Sequence, residues 1–205
     1  MVTQARALQT RRTVIVAAAK VFERNGFAAA TIAQILSEAG VTKGSLYFHF
    51  DSKESLARAI IDEQTDWREG QVEDRGSALE RLIALSRRFA EALVDDPLVR
   101  ASIRLTIERT ALGEGVVAAY QGWLDAVTDL LHQAHDEGDL VATANVEATA
   151  YVITSAMTGM QLLSEAMTGR EDLLARVDDF WRVLLPGLTP RRVATRLGRT
   201  LSLAV

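Results

Sequence analysis

The chain has 205 residues, of which 48% are apolar, and a mean hydropathy of +0.07, which is enough to build a core and excludes a wholly disordered protein. The absence of cysteine excludes disulfides and thiolate metal sites, and it fits a reducing compartment. The N-terminus has no apolar stretch of signal-peptide length, and no uncharged run approaches a membrane span. We therefore predict a soluble, cytoplasmic protein.

The net charge of −4 conceals an uneven distribution along the chain. Residues 1–53 carry seven basic against three acidic side chains, and residues 187–205 carry four arginines and no acid, whereas residues 54–186 carry 12 basic against 24 acidic ones. Such segregation suits a protein that presents one end to phosphate. Charge can also drift along a chain by chance, so the gradient is informative only together with a motif.

The first predicted helix covers residues 10–25 and closes at Asn25-Gly26. Its apolar residues recur at helical spacing and form one stripe: Val14, Ile15, Ala18, Val21 and Phe22. Arg6, Arg11 and Arg12 lie in or just before this helix and are predicted to form a mobile basic arm. Such arms reach phosphates or the minor groove, although soluble N-termini often look the same.

Residues 31–50 predict two short helices joined by a tight turn. Thr31 and Gln34 have the spacing of a capping box, Gly40 supplies the left-handed residue that ends the first helix, and Thr42 is placed to cap the second. The inward positions are Ile32, Ile35, Leu36, Ala39, Leu46 and Phe50.

The outward residues of the second short helix are Lys43, Gly44, Ser45, Tyr47 and His49. Lysine suits phosphate, glycine allows close approach of a ligand, and the other three are donors of the kind that contact DNA backbone or base edges. This pattern indicates a helix-turn-helix whose second helix enters the major groove. Any small helical hairpin has caps, a glycine and some polar residues, so the pattern alone leaves that alternative open.

The run AGVTKGSLYFHF, within residues 31–56, resembles the DNA-binding segment of the TetR family of one-component repressors, and the similarity continues upstream through RRTVIVAAAKVFERNGF. The resemblance implies an all-α homodimer in which a three-helix head with the helix-turn-helix precedes a larger ligand-binding and dimerisation body. We place the head, with its basic arm, at residues 1–53 and the body at residues 54–205. By the same resemblance, the residues that contact operator DNA are Thr31, Thr42, Lys43, Gly44, Ser45, Tyr47, His49 and Lys53.

The rest of the chain is predicted to be helical, without strands or internal repeats. A helix over residues 53–67 follows the turn at Asp51-Ser52, and residues 70–77 form the best candidate for a break. The later helices are predicted at residues 78–94, 97–110, 115–137, 146–167 and 170–185. Pro186, Gly187 and Pro190 are predicted to end the body, and residues 191–199 to form a short basic helix or to fray.

Residues 146–185 combine small side chains with two apolar faces, which is more than a monomer core requires. By resemblance, the family forms its homodimer here through a four-helix bundle. A two-fold dimer would present two heads to a pseudo-palindromic operator.

Candidates for catalysis are few. His132 and His135, followed by Asp136 and Glu137, could be metal ligands, but histidines near a helix C-terminus also complement its dipole. The sequence has no phosphate-binding glycine loop and no nucleophile elbow. We predict no enzyme, no cofactor, no catalytic residue and no metal.

A ligand site is suggested by the segments DPLVRASIRLTIE and YQGWLDAVTDLLHQAHDEGDL, which resemble the γ-butyrolactone receptors of actinomycetes and their furan- and butenolide-sensing relatives. In that branch, a tryptophan at the position of Trp123 lies against the bound signal. An ordinary core tryptophan would look the same in the sequence. Thr158, Met160 and Gln161 are further pocket candidates, although internal hydrogen bonds or exposure would also account for them.

Together these patterns predict a ligand-responsive repressor that binds its operator as a dimer and is released by a small molecule of γ-butyrolactone, butenolide or furan type. Three alternatives remain compatible with the sequence. They are a pseudo-receptor that binds DNA without that ligand, a TetR-type regulator that senses another hydrophobic compound, and a small-molecule binder that has lost DNA function.

Overall fold

The computed structural model describes residues 2–70, 75–108 and 114–202, and within these ranges every regular element is an α-helix. The all-α prediction is confirmed. The helices are α1 Val2–Ala29, α2 Ile32–Ala39, α3 Lys43–His49, α4 Lys53–Gly70, α5 Ala78–Asp95, α6 Pro97–Ile107, α7 Glu114–Asp136, α8 Val146–Thr168, α9 Leu173–Leu188 and α10 Arg191–Ser202. None of the described helices combines the length and apolarity needed to cross a membrane.

The chain divides into two compact units. The first unit comprises Met1–Gly70 and Asp95–Tyr120, and the second comprises Gln71–Val94 and Gln121–Val205. By packing, α4 and α6 therefore lie with the three N-terminal helices, since α6 contacts both α1 and α4. The predicted boundary between residues 53 and 54 separates a DNA-binding part from a ligand-binding part, whereas the two units are defined by packing. That boundary stays a prediction.

The core of the first unit is built on the apolar stripe of α1. Val14, Ile15, Ala18, Val21 and Phe22 are fully buried, as their spacing predicted. Apolar residues recurring every three or four positions face one side of a helix, so burial of that side joins all of them to one core. The stripe meets Ile35, Leu46, Phe50, Leu56, Ile60, Leu98, Ala101 and Leu105 from α2, α3, α4 and α6.

The mobile N-terminal arm is a wrong prediction, because α1 begins at Val2 and includes Arg6, Arg11 and Arg12. The segment is rich in alanine, leucine, glutamine and arginine, which are strong helix formers, and it has neither glycine nor proline. Arg12 also forms an ion pair with Glu63 of α4, which ties this part of α1 to the unit.

The predicted end of the first helix at Gly26 is reproduced as a kink. Gly26 has φ 74° and ψ 167°, a left-handed backbone that favours glycine, and Ala30 resumes the hydrogen bonding by donating to the Gly26 carbonyl at 3.2 Å. The chain thus changes direction at Gly26 before it enters α2.

Both predicted caps of the helix-turn-helix are present. The Thr31 hydroxyl accepts from the Gln34 N–H at 3.3 Å, and the Gln34 carboxamide accepts from the Thr31 N–H at 2.9 Å, which completes the capping box. Gly40 ends α2 with φ 65°, and the Thr42 hydroxyl accepts from the Ser45 N–H at 3.2 Å to begin α3. These bonds fix the turn between α2 and α3, and so the direction in which α3 leaves it.

In the second unit, α8 and α9 form a helical hairpin closed by Gly169, whose φ is 61°. The Asp172 carboxylate accepts from the hydroxyls of Ser164 at 2.6 Å and Thr168 at 2.7 Å. The hydroxyl of Ser164, then that of Thr168, together with Arg176, lower the pKa of Asp172 from 3.8 to about 2. These bonds hold the start of α9 against the end of α8.

Two predicted helix ends of this hairpin are wrong. The turn after Gly169 includes Arg170 at φ 73°, so α9 begins at Leu173 instead of residue 170. At its other end α9 continues through Pro186 to Leu188, which is buried, and the Thr189 N–H donates to the Leu185 carbonyl at 3.0 Å, so helical hydrogen bonding is present after the proline. The basic terminal segment is an ordered helix, α10, which buries Val193, Leu197 and Leu201.

Two remaining predictions reach residues outside the described ranges. The break at residues 70–77 includes residues 71–74, and the predicted end of the helix at residue 110 falls within residues 109–113. Within the described part, α6 ends at Ile107.

Candidate nucleic-acid interface and ligand-binding residues

Helix α3 is anchored by two inward side chains and exposes the opposite face. Leu46 is fully buried and Phe50 is 4% exposed, as predicted. Lys43, Gly44 and Tyr47 are exposed, while Ser45 and His49 are half-buried, so the predicted outward set does face away from the core. The core contacts of Leu46 and Phe50 therefore hold a short helix with its polar side outward.

The outward side chains are arranged by contacts among themselves. The Lys43 ammonium lies 5.8 Å from the centroid of the Tyr47 ring, one helical turn away, at the outer limit of a cation–π contact. The His49 ring is 5.0 Å from that of Phe48 and 6.4 Å from that of Phe50. The imidazole thus lies near the rings of both residues that flank it in the sequence.

Gly44 leaves the middle of this face open. A Cβ atom built there meets no other atom within 4 Å, so nothing inside the first unit requires glycine at this position. Without a side chain, this position also lets a partner come close to the helix backbone.

The two predicted threonines are the N-cap residues of α2 and α3, and both are exposed. Their hydroxyl oxygens accept from backbone N–H groups in the caps of α2 and α3, and the Thr31 hydroxyl also donates to Gln34 at 3.1 Å. Each threonine therefore has a structural role in addition to any contact with DNA.

Lys53 differs from the other predicted DNA contacts because its ammonium is directed into the protein. It donates to the carbonyls of Phe27 at 2.8 Å and Ala30 at 2.9 Å, with Ala28 at 3.4 Å, and lies 4.5 Å from the centroid of the Phe27 ring. A cation at these carbonyls satisfies acceptors that the end of a helix leaves open. Lys53 thus joins the start of α4 to the end of α1.

Phe48 is an exposed residue of α3 that the sequence analysis missed. Its side chain is 78% exposed, against 41% for Tyr47. The outward position of Phe48 could have been predicted from the sequence, because it lies four residues after Gly44 and away from the inward positions 46 and 50. Its apolar side chain does not fit an outward set chosen for polar residues and glycine.

A second unpredicted feature is a polar clamp between α6 and the kink of α1. The Glu108 carboxylate accepts from the Phe27 N–H at 2.7 Å and from the Arg104 Nε at 2.7 Å, while Arg104 also donates to the Glu23 carbonyl. A Cβ atom at Gly26 would lie 2.7 Å from Glu108 Oε1, so the clamp needs glycine there. These contacts fix the segment through which α1 leads into α2.

An ion-pair cluster covers the outer side of α1 and α2. Glu38 accepts from Arg24 at 2.8 Å, and Lys20 lies 3.6 Å from its other oxygen. The hydrogen bond from Arg24 lowers the pKa of the Glu38 carboxyl. The pairs are largely exposed and contribute little to stability, but they connect the two helices.

In the second unit, Trp123 of α7 is half-buried and lies beside Phe89 of α5, with ring centroids 4.7 Å apart and planes at 53°. Thr158 donates to the Thr154 carbonyl at 2.9 Å, so its hydroxyl is bonded within α8, and Met160 is half-buried. The structure therefore places one predicted pocket residue in an aromatic pair and another in an intrahelical bond.

Gln161 is the predicted pocket residue with unsatisfied chemistry. It is 4% exposed, and its Oε1 has no hydrogen-bond partner within the described ranges. The same holds for the buried Thr154 hydroxyl on α8 and for the indole N–H of Trp181 on α9, neither of which was predicted as a pocket residue. An unpaired buried polar group costs about 1–3 kcal/mol, so each of these atoms would gain from a polar partner.

The outer face of the α8–α9 hairpin is apolar and exposed. Its large side chains are Tyr151, Val152, Leu162, Leu163, Met167 and Val183. Ser155 and Gly159 are also exposed, and a Cβ atom at Gly159 would meet nothing within 4 Å. Small residues among large apolar ones allow another helix to pack closely.

The two histidines considered for metal binding lie apart from any ligand set. His132 Nε2 is 3.4 Å from Glu147 Oε1, and both side chains are largely exposed. Among the residues that the structure describes, no three histidine, aspartate or glutamate side chains group together in a way that could hold a metal ion.

The profile described as "Bacterial regulatory proteins, tetR family" matches residues 14–60, and that described as "Tetracyclin repressor-like, C-terminal domain" matches residues 76–190. The A-factor receptor protein of Streptomyces griseus is 42% identical over 188 residues, which cover 92% of this chain and 67% of that protein.

Two solved structures are also similar over nearly the whole chain. CprB of Streptomyces coelicolor, solved in complex with its biological operator sequence, has a TM-score of 0.85 and 31% identity, covering 96% of this chain and 97% of its own. A γ-butyrolactone receptor described as an ArpA-like protein has a TM-score of 0.81 and 29% identity, covering 97% and 96%.

Proposed function

This chain belongs to the TetR family of bacterial regulatory proteins, and on that premise we propose that it is a transcriptional repressor controlled by a small ligand. The observation that carries the proposal is the exposed face of α3, which its buried anchors Leu46 and Phe50 hold outward from the first unit. A dimer with two such helices matches successive half-sites of a pseudo-palindromic operator. Binding there excludes polymerase.

The residues of α3 and of the helix caps make different contacts with DNA, according to the chemistry of their side chains. Lys43 and the Thr42 hydroxyl contact phosphates, and the Thr31 hydroxyl does so when its proton turns from Gln34 to a phosphate oxygen. Gly44 admits the duplex close to the helix backbone, and Ser45, Tyr47 and His49 donate to phosphates or base edges. Charge supports this assignment, since residues 1–53 carry seven basic against three acidic side chains.

We propose that Lys53 has a structural role in addition to its predicted DNA contact. With its ammonium on the carbonyls of Phe27 and Ala30, it positions α4 against the end of α1 and thereby supports the helix-turn-helix. We propose that it affects operator binding chiefly by positioning.

We propose that the homodimer forms through residues 146–185, where α8 and α9 expose apolar side chains around Ser155 and Gly159. Burying this face against a second copy removes it from water. A two-fold interface of two helices from each copy forms a four-helix bundle.

The ligand that we propose is of γ-butyrolactone, butenolide or furan type, in line with the γ-butyrolactone receptor to which the chain is similar. Trp123, beside Phe89, offers a flat apolar wall. Gln161 offers an unpaired buried acceptor, and Thr158 and Met160 lie on the same helix. Such a combination suits a ligand with an apolar chain and a small polar ring.

Ligand acts by preferring a conformation of the body in which the heads no longer match the operator. Its effect is limited to its differential affinity for the two conformations, typically about 1–3 kcal/mol. The protein acts in the cytoplasm, where its operator is, and its task requires neither catalysis nor a cofactor.

The test is an electrophoretic shift with the region upstream of its own gene, with and without a synthetic γ-butyrolactone. We expect a specific shift that the lactone abolishes. Tyr47→Ala combined with His49→Ala should abolish the shift with the helical circular dichroism intact, while the exposed Glu91→Ala in the second unit serves as control. An unchanged operator affinity in the double variant removes the role of α3.

Trp123→Ala separates the ligand from the DNA function. It should keep the shift and blunt the response to lactone, and a normal dose response would place the ligand elsewhere. A wild-type shift that no lactone, butenolide or furan weakens would favour a pseudo-receptor or a sensor of another compound. Lactone binding without any DNA binding would favour a protein that has lost its operator.

A further inference from the structure

The ring of Phe48 is exposed although the first unit has no need of it at the surface. The inward positions of α3 are already filled by Leu46 and Phe50, and the Phe48 side chain is 78% exposed. Its ring meets the His49 ring edge-on, with centroids 5.0 Å apart and planes at 83°. The edge contact orients the phenyl group and leaves most of its surface exposed on the outward side of α3.

Phe48 also differs in chemistry from every other outward side chain of α3. Lys43, Ser45, Tyr47 and His49 can all donate hydrogen bonds, whereas a phenyl group can bond neither phosphate nor a base edge. The major groove presents one apolar group, the C5-methyl of thymine, and phenylalanine is among the side chains that contact it. The only gain open to a phenyl group on this face is therefore an apolar contact.

We propose that Phe48 is a specificity-determining residue that reads a thymine in each operator half-site through its C5-methyl group. The inference rests on the proposed function, because it requires α3 to enter the major groove. It goes further by assigning a base preference to one side chain. The neighbouring donors fix the register of α3 on phosphates and base edges, and Phe48 selects for the methyl at the position that it reaches.

The surroundings of Phe48 favour DNA over a protein partner as the occupant. Lys43 and Tyr47 lie on the same helix, and the N-terminal 53 residues carry an excess of basic side chains. An apolar side chain on a helix that also carries hydrogen-bond donors and a cation suits a polyanion that displays isolated methyl groups. Insertion of an apolar side chain between stacked base pairs is typical of proteins that bind the minor groove, which is too narrow for a helix. We therefore do not assign this role to Phe48.

The experiment uses an operator duplex, defined by footprinting the upstream region, in which each thymine in turn is replaced by deoxyuridine in both half-sites. The replacement removes only the methyl group. We expect wild-type affinity to fall about 4-fold per half-site at one thymine position, which corresponds to about 0.8 kcal/mol for one methyl. Phe48→Ala should bind more weakly and be insensitive to uracil at that position, while keeping any other sensitivity.

Two further variants control for folding and for general hydrophobic effects. Leu8→Ala removes another exposed apolar side chain of the first unit, 63% exposed on α1, and should keep the wild-type uracil profile. Phe48→Leu keeps an apolar contact, so it should retain sensitivity at the same thymine, and it replaces Phe48→Ala if that variant binds too weakly to measure.

The outcomes separate this inference from the proposed function. A wild-type uracil profile that is flat, or one that Phe48→Ala and Phe48→Leu leave unchanged, overturns the thymine contact while operator binding stands. If the wild-type protein binds neither its upstream region nor any duplex selected from a random pool, the proposed function and this inference fall together. Capture of a protein by wild type but not by Phe48→Ala, with equal operator profiles, would assign Phe48 to a protein interface instead.

Discussion

The Lys53 ammonium lies where the last turn of α1 ends, at 2.8 and 2.9 Å from the carbonyls of Phe27 and Ala30. Phe27 lies in the last part of α1, after the kink at Gly26, Ala30 lies between α1 and α2, and the Phe27 ring centroid is 4.5 Å from the cation. A side chain in this setting contributes both charge-assisted hydrogen bonds and a cation–π contact. The first turn of α4 is thereby bonded to the segment that leads into the helix-turn-helix.

Replacing Lys53 by methionine should lower the free energy of unfolding, because methionine keeps the aliphatic stem but leaves the carbonyls without their donor. We expect a loss of about 1.5–3 kcal/mol, the usual contribution of hydrogen bonds to a charged group. Urea denaturation followed by circular dichroism measures it, with Arg58→Met as the control, since Arg58 is an exposed cation of the same helix. If both variants unfold like wild type, Lys53 has no positioning role and its ammonium is available for phosphate.

Residue-level prediction from sequence succeeded where one helix carries its own evidence and failed where the partner is distant. The buried stripe from Val14 to Phe22 follows from spacing alone. The Lys53 ammonium donates to the Phe27 carbonyl 26 positions away, and the Phe27 N–H donates to the Glu108 carboxylate 81 positions away, and no local pattern predicts either bond. The Phe48 side chain was missed for a different reason, since its outward position followed from the same spacing but its apolar character hid it.

At the scale of the element, α3 combines a fixed start with an open surface. The Thr42 hydroxyl accepts from the Ser45 N–H, and the Phe50 N–H donates to the Leu46 carbonyl at 3.0 Å, so both ends of a seven-residue helix are closed. A helix this short is unstable alone and depends on its caps and its buried anchors. Its outward face can then be selected for binding rather than for folding.

Replacing Gly44 by alanine should separate binding from stability. Alanine is the better helix former, and its Cβ would meet no atom of the first unit, so we expect the free energy of unfolding to rise by about 0.4–1 kcal/mol. If the duplex approaches α3 at this point, operator affinity should fall at least about tenfold, or about 1.4 kcal/mol, because the methyl group occupies the space. Fluorescence anisotropy with labelled operator measures the affinity.

Gly187→Ala provides the control for this pair of effects. Gly187 is an exposed helical glycine of α9 whose added Cβ would also meet nothing within 4 Å, and it lies in the second unit. Operator affinity should stay at the wild-type level in Gly187→Ala. An equally unchanged affinity in Gly44→Ala would show that the duplex does not come close to this part of α3.

Element boundaries show which sequence signals were strong. The caps at Thr31, Gly40 and Thr42 were predicted and are present, because capping depends on residues three or four positions apart. The extension of α1 to Val2 and the passage of α9 through Pro186 were not predicted. The prediction for α1 assumed that N-termini fray, although the segment is rich in good helix formers. The prediction for α9 assumed that proline ends a helix, although the residues around it pack as part of the helix.

At the scale of the whole molecule, the composition of α8 and α9 predicted a dimer interface, and the face that would form it is exposed in the single copy. The exposed side chains from Tyr151 to Met167 recur along one face of α8, and Gly159 lies among them with open space beside it. A monomer gains nothing from this arrangement, since apolar side chains at the surface stay in contact with water. The assignment of residues to two packed units could not be anticipated, because it depends on α6 lying against α1 and α4.

Replacing Leu163 by glutamate should break the dimer and leave the subunit folded. Leu163 is 62% exposed in the single copy, so the substitution creates no buried charge within the subunit, but two carboxylates would be desolvated in a two-fold interface. Sedimentation velocity should show a monomer at concentrations where wild type is a dimer, with unchanged helical circular dichroism. Operator affinity should fall steeply, because a lone head binds one half-site.

Leu8→Glu, at 63% exposure on α1, introduces the same charge outside the proposed interface and should stay dimeric. A dimeric Leu163→Glu would move the subunit contact away from this face of α8.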